Sequence, residues 1–272
     1  MRRRVLPGFG LSLGITTGYL GLLVLLPLAG LLAKAATADP GRAWALFTDP
    51  RTLGAFRVSF GVSAAAAAAS VPAGLLLAWV IERYRFPGRR VLDAAVDLPF
   101  ALPTAVAGIA LTTLYVPDGW LGALLAPLGI TVAFTPLGIG VALLFIALPF
   151  VVRAVQPVLA GLDRSADEAA AILGASPWQA FRLVVLPPLL PAVATGAALA
   201  FARAVGEYGS VIFIAGNRPL VSEIVPLLIV IRLEQYDYAG AALLGAAMLL
   251  LSFCLLAGID RLQGRGAVRR AG

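Results

Sequence analysis

Apolar positions gather into six long runs along this chain, separated by short polar or basic stretches. Their approximate limits are Phe9 to Ala33, Val58 to Ile81, Ala94 to Val116, Leu137 to Val152, Pro188 to Ala215 and Ala239 to Ile259. A helix needs about 17–25 residues to cross roughly 30 Å of hydrocarbon, so the pattern predicts six spanning helices. The fourth run is the shortest. The fifth carries Arg203 and Glu207 and is the least uniform. Within the second, Ala64 to Ala69 and Ser70 make a surface of small residues that lets another helix backbone approach closely.

Composition agrees with a membrane interior. Of 272 residues, 60% are hydrophobic and 13% charged, against about 45–50% and about 25% in a soluble domain. No soluble fold of this size has an interior that could hide so much apolar surface. The net charge of +7 could suggest nucleic acid, but the basic residues sit in short clusters between the apolar runs, which fits membrane orientation better and predicts no nucleic-acid partner. If the N-terminus is inside, the clusters Arg2–Arg4, Arg83–Arg90, Arg153–Arg182 and Arg261–Arg270 all fall on the cytoplasmic side. Only the scattered Lys34, Arg42, Arg51, Arg57, Arg218 and Arg232 fall outside. Both termini are therefore expected in the cytoplasm. Trp44, Trp79, Trp120 and Trp178 flank the spans, where amphipathic rings prefer the interface with membrane lipid.

The first 38 residues also resemble a cleavable signal peptide, with Arg2–Arg4, an apolar stretch and the small residues Ala33-Lys34-Ala35-Ala36-Thr37-Ala38. The apolar run exceeds the roughly 7–15 residues of a signal core, so a retained helix is expected.

Catalytic chemistry finds little to work with. The chain has no histidine, one cysteine, Cys254, in an apolar run, no G-x-S-x-G serine and no G-x-x-x-x-G-K-[ST] loop. A metal site, a Cys/His nucleophile and ATP binding by that loop are thus not expected of this chain. A membrane-embedded enzyme needs several reactive groups converging at one depth; here Asp97 near one end of a span and the Arg203/Glu207 pair are nearly all there is.

The most informative polar stretch is Asp163 to Pro187. Ser165 and Glu168 have the spacing of a capping box, and Gly174 is placed to end the short helix they begin. Ser176 and Gln179 make a second box with Pro177 at the first helical position, and Pro187 and Pro188 are expected to stop that helix. Local chemistry thus predicts two short helices joined by a glycine turn at the cytoplasmic face.

The spacing within this stretch resembles a known pattern. Glu168-Ala169-Ala170, three residues, Gly174, nine residues, then Val184-Val185-Leu186-Pro187 is similar to the EAA loop of type-1 ABC-transporter permeases, with Val184 in place of the usual isoleucine. The resemblance implies an all-α polytopic fold of six transmembrane helices. Its coupling-helix loop lies between spans four and five and docks in a groove of an ATPase subunit. Gly174 would provide the turn, Glu168, Ala169 and Ala170 the docking face, and Leu186-Pro187 the lead into span five. Residues 1–56 would then be an N-terminal tip, first helix and external loop, 57–262 the transmembrane domain, and 263–272 a basic cytoplasmic tail.

Beyond the loop, Phe201 to Asn217, Ser222-Glu223-Ile224 and Arg232 to Tyr238 resemble the CysT-type sulfate/thiosulfate permease family. Molybdate and tungstate permeases share the Gly206-Glu207-Tyr208-Gly209 portion, which alone does not discriminate, whereas Val211 to Asn217 and Leu233 to Tyr238 resemble the sulfate members and favour that cargo over the molybdate/tungstate alternative. The resemblance implies an inner-membrane importer in which a homologous second permease, two ATPase subunits and an external sulfate-binding protein are the partners. ATP and Mg would be held by the ATPase, with no cofactor in this chain. Ionisable groups inside a span are costly and tend to face a bundle interior or a water path. Arg203 and Glu207, four residues apart, could pair on one helix face, either as a packing brace or as an anion pathway with Tyr208 and Ser210 as neutral donors.

Overall fold

The computed structural model describes residues 9–163 and 165–271. The Arg2–Arg4 cluster and Arg164 lie outside the described residues. Six of the described helices are long and apolar enough to cross a membrane. The first, α1 (Phe9–Ala36), contains a widened π-turn at Gly21–Leu25 just before Pro27. It is exposed along most of its length and meets the last helix beside Leu31 and Gly245.

A short helix, α2 (Pro40–Thr48), is capped by Asp39, whose carboxylate accepts the Arg42 N–H at 2.9 Å. Then α3 (Pro50–Arg83) runs unbroken for 34 residues, its start capped by Asp49 on the Thr52 N–H. The alanine run within it divides between two faces. Ala66, Ala67 and Ser70 are buried against neighbouring helices, while Ala64, Ala65, Ala68 and Ala69 face outward.

The third span lies further along the chain than the apolar pattern predicts. In place of one helix over Ala94–Val116 there is an amphipathic helix, α4 (Arg89–Val96), and a single turn at Leu98–Ala101. After these comes α5 (Thr104–Leu128), which is itself interrupted after Tyr115. Pro99 and Pro103 explain the displacement, since neither can donate to a helix ladder and each restricts the residue before it.

The core is built where α3, α6 (Pro136–Gly161) and the fifth span cross. Val151, Val152 and Val155 of α6 pack with Ala67, Ala78 and Ile81 of α3 and with Leu189, Val193 and Ala200 of the fifth span. Small residues let the backbones close up, which drives helix association where lipid is as apolar as protein. The loop between α6 and the fifth span carries α7 (Ser165–Ile172).

The fifth span, α8 (Pro177–Val205), overturns the expectation that Pro187 and Pro188 stop the preceding helix. The segment from Pro177 continues straight through both prolines. A π-turn at Phe181–Val185 puts them in the first turn after an interruption of the i→i−4 ladder, where a missing N–H costs little. The span ends at Val205 rather than Ala215, and only a one-turn helix, α9 (Val211–Ile214), follows. A ten-residue helix, α10 (Val225–Glu234), packs through Val225 and Leu228 against Leu46, Ala55 and Leu244. The last helix, α11 (Tyr238–Ala271), is apolar over Tyr238–Ile259.

Candidate translocation and coupling sites

Where α8 stops, Gly206 takes the cap position and the Glu207 N–H turns back to the Ala204 carbonyl at 3.1 Å. The Glu207 carboxylate is 3% exposed and fully engaged. Arg203 pairs with it at 2.6 Å, and Ser210 gives it both its backbone N–H at 2.9 Å and its hydroxyl at 3.1 Å. One carboxylate therefore closes the end of α8 and opens α9. Arg203 keeps about a third of its side chain exposed, while Ser210 is wholly buried with both donors turned to Glu207. Tyr208 is half-buried against a cluster that includes Ala66, Ile139, Leu143 and Val211. Beside the carboxylate lies a cavity of about 10 Å³ bordered by Ser59 and Ser63, close to the room one water needs.

The break is held against the start of α5 at very short range. A Cβ on Gly108 would run into the Ser210 backbone, so only glycine permits this approach. At the same end of the molecule, Glu223 is 2% exposed and receives a two-pronged Arg51, at 2.7 and 2.6 Å, from the first turn of α3. Asp237 receives Arg42 at 2.9 Å and Arg232 at 3.2 Å, with Tyr236 and Tyr238 edge to face beside it.

The opposite end carries the loop. Gly174 has φ of 84°, and it ends α7 with the Ala175 N–H reaching the Ala170 carbonyl at 3.0 Å and the Gly174 N–H the Ala171 carbonyl at 3.0 Å. This paired closure needs a left-handed residue, which glycine supplies without strain. Ser176 and Gln179 form the reciprocal box expected of them. The start of α7 differs: the helix begins at Ser165, and the Asp163 carboxylate accepts the Ser165 N–H at 3.0 Å. That bond holds the Asp163 carboxyl below its ordinary pKa. Glu168 and Ala169 are exposed, as are Ile172, Leu173 and Trp178, an apolar surface on a polar loop. Ala170 is half-buried, and Leu186 and Pro187 sit inside α8.

Beside the loop lies a polar hub that the apolar pattern does not reveal. Arg153 of α6 donates to Asp97 at 2.9 and 2.5 Å, to Asp93 at 2.6 Å, to the Asp93 carbonyl at 2.8 Å and to Gln156 at 2.5 Å. Gln156 donates to Glu82 at 3.2 Å and to Asp93 at 3.1 Å, and Arg89 reaches Glu82 at 3.4 Å. The bonds from Arg153 and then Gln156 hold Asp93 below its ordinary pKa. The hub ties α3, α4 and α6 together. The one sequence signal for it is the i, i+4 spacing of Asp93 and Asp97 within reach of a cation near the end of another apolar run.

A six-span bundle with a capped loop at one end and a helix break closed by an ion pair toward the other is the layout of a polytopic membrane protein. Residues 70–266 match the family described as binding-protein-dependent transport system inner membrane component, and the chain belongs to that family. It is 51% identical over 90% of its length to the sulfate transport system permease protein CysT of Synechococcus elongatus, covering 88% of that protein. To the protein of the same name from Escherichia coli it is 47% identical, over 99% of this chain and 98% of the other. Among solved structures, a bacterial ABC transporter for import of the acidic polysaccharide alginate superposes with a TM-score of 0.77 at 16% identity, over 93% of this chain and 94% of that one. Its complex with an alginate-bound periplasmic protein gives 0.76 at 17% identity, over 93% of each chain. At such identities these two speak for the fold.

Proposed function

We propose that the chain is the permease subunit of an ATP-driven importer of sulfate and thiosulfate, acting by alternating access in a bacterial-type inner membrane. The observation that carries this reading is the near-full-length similarity to sulfate transport permeases. In this reading both termini and the Asp163–Pro187 loop are cytoplasmic, in keeping with the basic clusters at that end. The exposed Glu168, Ala169, Ile172, Leu173 and Trp178 form the face that docks on an ATPase subunit, with Gly174, Leu186 and Pro187 shaping its connection to span five. Two such ATPase subunits hold ATP and Mg. A homologous second permease completes the passage, and an external sulfate-binding protein delivers the anion near the end that carries Arg51, Glu223 and Asp237.

Arg203 supplies positive potential at the open side of the helix break, and the buried Glu207 moderates it. A site that held a dianion too tightly could not release it. Ser210 acts through Glu207, because both its donors point there. Tyr208 packs beside them.

Uptake of labelled sulfate into proteoliposomes holding the whole transporter tests the cargo. Excess thiosulfate should compete and molybdate should not; competition by molybdate alone would assign the chain to a molybdate or tungstate importer. Arg203→Ala should lower uptake while the complex still assembles, and equal uptake would reduce Arg203 to a packing brace. Gly174→Asp should abolish sulfate-stimulated ATP hydrolysis; unchanged hydrolysis and uptake would remove the docking role of the loop.

A further inference from the structure

The proposed docking surface is joined to the last turns of α3 by a line of aromatic contacts. Trp178, two-thirds exposed on the loop, stacks on Phe181 with ring centroids 5.6 Å apart and planes at 23°. Phe181, the first residue of the π-turn, meets Trp79 of α3 edge to face at 5.4 Å and 86°. The Arg83 guanidinium lies over the other part of this contact, 5.5 Å from the Trp79 ring centroid. One turn of α3 thus holds Trp79, Glu82 and Arg83, and Glu82 passes directly into the hub through Gln156 and Arg89.

Aromatic pairs prefer offset-stacked or edge-to-face arrangements, so such a contact has a direction that a flexible aliphatic contact lacks. The π-turn matters too. It widens the helix locally at the residue that touches Trp79, and such turns are frequent at functional sites. In the hub, α3 is tied to α6 and α4 through Glu82, which accepts from Gln156 and Arg89, and α4 to α6 through Arg153, which holds both aspartates at once.

We infer that Trp79 is a positioning residue for transport: through Phe181 and Trp178 it takes up movement of the loop and passes it along Glu82 to the Arg153 hub. This rests on the reading of the loop as the ATPase-docking element. Trp79 itself touches no cargo.

The test uses the complete transporter in proteoliposomes, measuring sulfate moved per ATP hydrolysed together with co-purification of the ATPase subunits. Trp79→Leu should keep the ATPase bound and its basal hydrolysis intact, while the transport-to-hydrolysis ratio falls about fivefold. Trp79→Phe, which retains a ring, should recover at least half of the ratio. Phe181→Leu reads the same contact from the other side, so it decides the matter should Trp79→Leu fail to assemble. The double variant should be no worse than either single one, since both remove one shared contact. A ratio left unchanged by Trp79→Leu or by Phe181→Leu in the assembled complex, or strictly additive losses, would overturn the relay. If Gly174→Asp also leaves transport coupled, it is the docking reading that fails; if Gly174→Asp uncouples and the ring variants do not, the relay alone fails.

Discussion

Glu207 and Arg153 each anchor a cluster of polar bonds inside an apolar molecule, yet their partners stand at very different distances along the chain. Glu207 draws on Arg203 and Ser210, four residues before it and three after. Arg153 draws on Asp93 and Asp97, 60 and 56 residues away, and through Gln156 on Glu82, 74 residues from that glutamine. The first cluster shapes one stretch of backbone, deciding where span five ends and how it turns. The second shapes nothing locally and instead fastens three separate helices. Burial differs in the same sense: the Glu207 side chain is almost sealed, whereas Asp93 and Asp97 keep 42% and 48% of theirs exposed.

This contrast can be broken from either side. Glu207→Ala should be the most damaging change, because it strands a buried N–H, a buried hydroxyl and a cation together. A loss of about 3 kcal/mol is expected from such unmet groups, read as a lowered unfolding temperature in detergent, with Glu207→Gln recovering much of it. Equal stability for Glu207→Ala and wild type would mean that the break does not depend on its carboxylate. Arg153→Gln should follow, at about 2 kcal/mol after allowing for solvent around the two aspartates. It should also make α4 accessible to limited proteolysis near Arg89 and Arg90. Protection equal to wild type would separate the hub from the attachment of α4.

Acid should distinguish the clusters more finely. The Asp93 carboxyl titrates below its ordinary value when folded, so its contribution is complete above the unfolded pKa of about 3.9 and disappears as pH falls through the lower folded value. The stability gap between wild type and Asp93→Asn should therefore be widest near pH 6, begin to narrow at about pH 4 and close only as pH falls past the lower folded value. A gap that stays constant down to pH 3 would contradict the bond to Arg153. The smallest effect is expected for Gln156→Leu, about 1 kcal/mol, since Arg153 keeps both aspartates.

The same division governs how much could be read from the chain itself. Gly174, the Ser176/Gln179 box and the Arg203–Glu207 pairing follow from spacings of three to six residues, and the structure places all of them accordingly. Six spans followed from the apolar runs, but not all their limits. Pro187 and Pro188 read as a stop because nothing in their neighbourhood announces a π-turn, whose first residue, Phe181, meets Trp79 of a span distant in sequence. The start of span three was displaced because Asp97, Pro99 and Pro103 lie within a run that is apolar on average. Arg51 and Glu223, 172 residues apart, form a pair that no local pattern could suggest. Ser165 has the spacing of a cap, yet its own N–H is the one that is capped, with Asp163 supplying the acceptor.

The continuity of α8 has a mechanical consequence. Twenty-nine residues from Pro177 to Val205 make a rod about 43 Å long, with its loop-side tip at one end and the Arg203–Glu207 break at the other. Tilting such a rod by about 5° about its loop-side tip swings the opposite tip by about 4 Å, which is of the order of an ion's width. The prolines leave the helix continuous, although its ladder is relaxed at the π-turn and again at Pro191, so a turn of the loop-side tip reaches the far end as far as those two places hold.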